Sequence, residues 1–224
     1  MAGKMIAFEA NGRESTGYLA RPEDAGNGKG LIVLQEWWGL VPHIQDVAAR
    51  FARMGYVALA PDLWDGKQTT DPDEASRLFM ALDIDRAEKQ IRGAIATLRA
   101  EGATGKVGVM GFCLGGQLAM YTACANAEEI GACVNFYGIH PAVNPAWRSL
   151  TAPVLGIFGE RDPHVPPRVA KELDAAITAA GGSFEHHIYP ADHGFFNETR
   201  PEVYAQEQAD DAWRRVLGFF AKNL

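Results

Sequence analysis

Uninterrupted apolar runs recur along this chain, and segments of helical period separate most of them. The runs are "LIVLQEWW" (31–38), "YVALAPDL" (56–63), "KVGVMGF" (106–112), "IGACVNFYG" (130–138) and "PVLGIFGE" (153–160). None alternates polar and apolar residues, so each is expected to be buried on both faces, as strands of a parallel sheet are. Helical spacing joins Ile44, Val47, Ala48 and Phe51, with Gly55 closing that helix, and Ala87, Ile91, Ala94, Ile95 and Leu98, with Gly102 closing the next. Asp85 and Glu88 are spaced as a capping pair for the second. "LGGQLAMYTACA" (114–125), "PRVAKELDAAITAAGG" (167–182) and the set Trp213, Val216, Leu217 and Phe220 read as further helices, and "SFEHHIYP" (183–190) as a strand. Near the start, "MIAFEANGRESTGYLARP" reads as a hairpin turning at Asn11-Gly12. Strands alternating with helices imply an α/β fold: a mostly parallel central sheet with helices on both faces, one domain over 1–224. In such sheets ligand chemistry gathers at the carboxyl ends of the strands.

Charge and cysteine usage narrow the function. A net charge of −7 opposes phosphate-backbone binding, so no nucleic-acid partner is expected. The first residues have no apolar leader region and no run reaches membrane-spanning length, so the expected setting is the cytoplasm, away from membranes. The three cysteines, Cys113, Cys124 and Cys133, argue against a disulfide framework, and no Cys/His cluster has zinc-ligand spacing. His186 and His187, adjacent in a strand, point to opposite faces. Neither metal nor cofactor is therefore expected. Nothing in the pattern calls for a partner beyond a small-molecule substrate, and a monomer is the favoured state.

The chemistry centres on Gly111-Phe112-Cys113-Leu114-Gly115, which has the Gly-x-nucleophile-x-Gly spacing at a strand-to-helix junction. The glycines permit a sharp turn that lifts the cysteine above the sheet at the positive end of the next helix. That end favours thiolate, and the Leu114 amide points toward an oxyanion formed on attack. Cys124, inside a helix, and Cys133, in a strand, read as inert core residues. A thiol nucleophile needs a base and a group to orient it. On such a sheet they follow in the order acid, then histidine, which selects Asp162, just past one strand, and His193, just past the next. Asp192, His164, His43 and His140 are weaker competitors; His164 shares the Asp162 loop and could face solvent. Glu36 follows a buried strand beside two indoles and reads equally well as functional or as an outward-turned glutamate. The Trp37 amide is placed to be the second oxyanion donor.

These residues resemble the dienelactone hydrolase (carboxymethylenebutenolidase) family of the α/β-hydrolase superfamily. The matching motifs are "QEWWGL", "GYVALAPDL", "GKVGVMGFCLGG", "NFYG", "GERDPHVP" and "ADHGF", spread nearly end to end. The resemblance implies an α/β-hydrolase fold and a Cys113–His193–Asp162 triad, and at 224 residues no large cap domain is expected. It also implies a Glu36 that interacts with the resting thiol and helps deprotonate it when substrate binds, and oxyanion amides on Trp37 and Leu114. The chain departs from the family at the substrate's carboxylate clamp. One family arginine lies four residues after the catalytic histidine, where this chain has Asn197, with Arg200 three residues on. The other lies after "PDL", where this chain offers Lys67 and, at the start of a helix, Arg77. A clamp of that kind depends on fixed bidentate geometry, so its loss bears on substrate identity more than on catalysis. The expected activity is hydrolysis of a lactone or activated ester through a thioacyl-enzyme. Trp37, Trp38, Phe79, Tyr137 and Phe195 are candidates for an aromatic pocket wall, and each reads equally as core, Phe79 more so. The alternatives are an esterase or thioesterase with a different substrate, or a ligand-binding protein on a hydrolase scaffold.

Overall fold

The structure, a computed structural model, describes residues 3–224. Its described residues form eight strands and six α-helices, and the chain divides into two compact units, up to Val109 and from Met110.

In the first unit β1 (Lys4–Glu9) and β2 (Glu14–Ala20) form the expected antiparallel hairpin, with Phe8 opposite Ser15. Asn11 (φ 54°) and Gly12 (φ 81°) both take the left-handed conformation that a two-residue hairpin turn of this twist requires. β2 runs antiparallel to β4 (Val57–Pro61), and β4 parallel to β3 (Gly30–Leu34), giving the order β1-β2-β4-β3. Every residue of β3 and β4 is buried, as their unbroken apolar sequences require. Between them α1 (Pro42–Arg53) buries Ile44, Val47, Ala48 and Phe51, and Gly55 ends it at φ 89°.

Two features of this unit differ from the sequence reading. The helix α3 (Ile84–Ala100) is capped by Asp83, whose Oδ1 accepts the Arg86 N–H at 3.0 Å, not by an Asp85–Glu88 pair. Asp83 wins because it stands outside the first turn with extended backbone, as a capping side chain must; Asp85 is already helical. A separate short helix, α2 (Pro72–Met80), precedes it, and Arg77 lies in its last turn rather than at its start. Asp71 caps α2 and Pro72 opens it, a start signal upstream of Arg77. Only Ala75 of α2 is fully buried, so apolar periodicity marks this helix weakly.

The second unit begins inside β5 (Val107–Phe112) and continues through α4 (Leu114–Ala125), β6 (Ile130–Phe136), β7 (Val154–Gly159), α5 (Pro167–Ala179), β8 (Phe184–Tyr189) and α6 (Gln206–Asn223). The strand order is β5-β6-β7-β8, with β6, β7 and β8 parallel and Val134 opposite Leu155. A single 3₁₀ turn, Trp147–Ser149, is the only helix between β6 and β7, as expected. Buried Ala209, Ala212, Val216 and Phe220 form the inner face of α6. β8 is half exposed, and its adjacent histidines turn to different partners: His186 to Asp174, and His187 to Glu185 and Arg215. The loops leaving β5, β7 and β8 at their carboxyl ends carry the candidate site.

Candidate active site

Cys113 stands between β5 and α4 as the residue that starts the helix, at φ 52° and ψ −117°. That backbone is strained for a residue with a side chain, by roughly 1–3 kcal/mol, and persists only where its surroundings fix it. Backbone hydrogen bonds on both its N–H and its carbonyl do so. The Cys113 N–H donates to the Phe136 carbonyl at 3.0 Å, and the Cys113 carbonyl accepts from Gly116 (3.0 Å) and Ile139 (3.2 Å). Glycine is obligatory on both sides of the turn. A Cβ on Gly111 would lie 2.1 Å from the Gly115 carbonyl oxygen, and one on Gly116 would lie 2.5 Å from the Asn135 side-chain oxygen. No side chain caps α4, so the amide of Leu114 heads the helix beside the sulfur.

Asn135 is a contributor that the sequence reading missed. Its side-chain oxygen accepts the Gly138 N–H at 2.7 Å and fixes the turn after β6, where Tyr137 is held at φ 39°. The Tyr137 N–H donates to the Ile157 carbonyl at 2.8 Å, and the Tyr137 ring lies 4.8 Å from that of His193.

Asp162 lies three residues past β7 and is 2% exposed. Its Oδ1 accepts the N–H groups of His164 (2.8 Å) and Val165 (2.9 Å), while Oδ2 lies 2.6 Å from His193 Nδ1. Burial alone would raise the Asp162 carboxyl, but the His193 hydrogen bond and charge and the two backbone bonds outweigh it and hold it below the usual carboxylate range. For His193, burial opposes the charged ring; hydrogen bonds that the ring donates to Asp162 and Cys113, and the charges of both, overcome it and push the imidazole up to about 10. The residues expected from the sequence as nucleophile, base and acid are therefore brought together in the second unit. Cys124 and Cys133 sit in helix and strand as expected; burial pushes the first up to about 11 and the second well above the thiol range.

The remaining candidates fall in both units. In the first, Glu36 is buried just past β3, and Trp37 and Trp38 are half-buried with rings 4.9 Å apart. Phe79, on α2, packs edge-on against Trp37 at 6.4 Å and is only half-buried. Arg77 is exposed on the last turn of α2, and Lys67 is exposed in the loop before it. In the second unit Phe195 is fully buried between Tyr137 (5.9 Å) and Tyr189 (5.5 Å). Asn197 is also buried, and its side-chain oxygen closes its own turn on Thr199. The Arg200 guanidinium pairs with Glu202 and passes 3.6 Å from where a Cβ on Gly194 would stand, next to His193. His164, which could have faced solvent alone, is exposed yet sets its ring edge-on to His193, with centroids 5.3 Å apart. Asp-Pro turns commonly fold the second following amide back onto the aspartate, and that was the available signal. Among the described residues, no three His, Cys, Asp or Glu side chains are placed to hold a metal ion, and no helix is long and apolar enough to cross a membrane.

Comparison with known proteins gives a consistent picture. The dienelactone hydrolase family matches residues 16–224. "Protein usf" of Aquifex pyrophilus is 34% identical over 231 residues, covering 99% of each chain. A protein of Aquifex aeolicus named "Putative carboxymethylenebutenolidase" is 30% identical with the same coverage. The solved structure of a "Putative Dienelactone Hydrolase" from Klebsiella pneumoniae superposes with a TM-score of 0.87 at 29% identity, over 99% of both chains.

Proposed function

The chain belongs to the dienelactone hydrolase family and is a carboxylic ester hydrolase of the α/β-hydrolase fold, and on that premise we propose that it cleaves a lactone or activated ester through a thioacyl-enzyme on Cys113. What supports the cysteine route most is the hydrogen-bonded chain from Asp162 through His193 to Cys113.

In this reading the attacking species is a Cys113 thiolate beside a His193 imidazolium, formed when substrate binds. The sulfur attacks the substrate carbonyl carbon, and the carbonyl oxygen becomes an oxyanion facing the Leu114 amide at the head of α4. The ester C–O bond breaks, and the leaving oxygen takes the proton from His193. Acylation removes the sulfur's charge and its hydrogen bond, two of the four contributions that hold the proton on His193. The neutral imidazole then takes a proton from water, the hydroxide attacks the thioester, and the C–S bond breaks to restore the ion pair and release the acid. Asp162 stays ionised throughout and fixes the ring. A thiolate suits esters with good leaving groups, which favours enol and aryl esters over amides.

One observation favours a substrate other than dienelactone itself. The position of the family's arginine is held by Asn197, engaged in its own turn, and Arg200 nearby is paired with Glu202. A panel of aryl esters, lactones and dienelactones, assayed with wild type and Cys113→Ala, tests both points. Turnover by wild type alone supports the reading; equal inactivity of both proteins on every ester overturns it. Turnover of aryl esters with cis-dienelactone ignored would leave the chemistry in place and reassign the substrate.

A further inference from the structure

His164 makes two contacts with the candidate machinery at once. Its backbone N–H binds Oδ1 of Asp162 at 2.8 Å, and its ring meets the His193 ring edge-on, with centroids 5.3 Å apart and planes at 78°. Tyr137 approaches the same imidazole at 4.8 Å and 56°. The His193 ring is therefore bounded by two other rings, while its Nδ1 is held at 2.6 Å by Asp162 Oδ2. The two walls differ in kind. Tyr137 is fully buried and its backbone is fixed by β7, whereas His164 is exposed on the loop after β7. A hydrogen bond at Nδ1 leaves the imidazole free to swing about that contact, and a packed ring on the open side removes that freedom. A buried tyrosine alone leaves the solvent side of the base unconfined.

We propose that His164 is a positioning residue whose ring closes the solvent side of a clamp on His193 and so keeps the base directed at Cys113. The role belongs to the ring as a packing surface rather than to a proton it carries. The proposal rests on the triad reading above, but it can be tested without a substrate, because alkylation of Cys113 by iodoacetamide reads the sulfur–imidazole pair directly.

The test compares wild type, His164→Ala and His164→Phe in two assays: alkylation of Cys113 at neutral pH, and steady-state hydrolysis of an aryl ester. His164→Ala is expected to slow alkylation and to lower kcat, each about tenfold, well short of the hundredfold or more that loss of the base itself costs, with KM little changed. His164→Phe, which keeps a flat ring and cannot carry a proton, is expected to restore both to within about twofold of wild type. Thermal unfolding of both variants should match wild type, since the side chain is exposed. Wild-type alkylation and kcat in His164→Ala would overturn the proposal. So would a His164→Phe protein as impaired as His164→Ala, because the function would then lie in the imidazole's proton. If wild type hydrolysed no ester, the catalytic reading would fail, while the alkylation series would still decide whether His164 holds the pair.

Discussion

His193 Nδ1 lies 2.6 Å from Oδ2 of Asp162, and the other oxygen of that carboxylate is taken by the backbone N–H groups of His164 and Val165. The carboxylate therefore cannot rotate to follow the ring, and the ring must come to it. Asp162→Asn puts an N–H donor in place of one of these acceptors and disfavours the tautomer that the base needs. We expect kcat on an aryl ester to fall by a factor of about 10²–10⁴, with the fold retained. Asp162→Ala should also destabilise the protein by about 2–4 kcal/mol, because the buried Val165 N–H, the part-buried His164 N–H and the imidazole lose their acceptor. Steady-state kinetics and urea unfolding separate the two effects.

A pH dependence of stability follows from the raised His193. A histidine held near 10 in the folded state, against an ordinary value of about 6.5, binds its proton more tightly folded than unfolded. Its contribution is fully present below about pH 6.5 and is lost as pH rises toward 10. The lowered Asp162 works in the opposite sense, contributing above the ordinary carboxylate value and losing that contribution as pH falls through its folded value. The urea midpoint of wild type is expected to decline between pH 6.5 and 10. Cys113→Ala lacks the sulfur's hydrogen bond and charge, so its decline should be smaller. Parallel curves for the two proteins would contradict the coupling.

The elbow leaves no room for side chains at its glycines. A Cβ on Gly111 would stand 2.1 Å from the Gly115 carbonyl oxygen, and one on Gly116 would press on the Asn135 oxygen that fixes the Tyr137 turn. Gly111→Ala is expected to cost more than about 3 kcal/mol, since backbone must move. Gly116→Ala should reduce activity as well as stability, through the displaced turn. Denaturant unfolding together with aryl-ester turnover checks both.

The three thiols should differ sharply in reactivity. Burial pushes Cys124 up to about 11 and Cys133 well above the thiol range, whereas Cys113 faces His193 at a helix start. Peptide mapping after brief iodoacetamide treatment at pH 7 is expected to find Cys113 as the dominant labelled site. Labelling should fall strongly in His193→Ala.

Much of this arrangement was legible in the sequence because the relevant signals are local. The unbroken apolar runs gave the buried strands, Asn11-Gly12 the hairpin, and the glycines around Cys113 a turn that no larger residue permits. Strand-end position then picked out Asp162 and His193 without knowledge of distance. What could not be read has physical causes. The cap of α3 depends on which of Asp83 and Asp85 has extended backbone, and composition does not distinguish them. The helix α2 buries only Ala75, so it carries little periodic signal and Arg77 was misplaced along it. Asn135 fixes its turn through one side-chain oxygen, and nothing in its spacing announces that contact; for His164 the Asp-Pro turn signals the backbone bond to Asp162 but not the edge-on meeting of its ring with His193.

The account turns on a covalent bond between Cys113 and the substrate's acyl group. Rapid acid quenching during aryl-ester turnover, followed by peptide mass spectrometry, measures it directly. The expected result is an acyl mass increment on the peptide containing Cys113, appearing before steady state, absent from Cys113→Ala and persisting longer in Asp162→Asn. Turnover with no acylated Cys113 peptide at any quench time, or undiminished hydrolysis by Cys113→Ala, would contradict it.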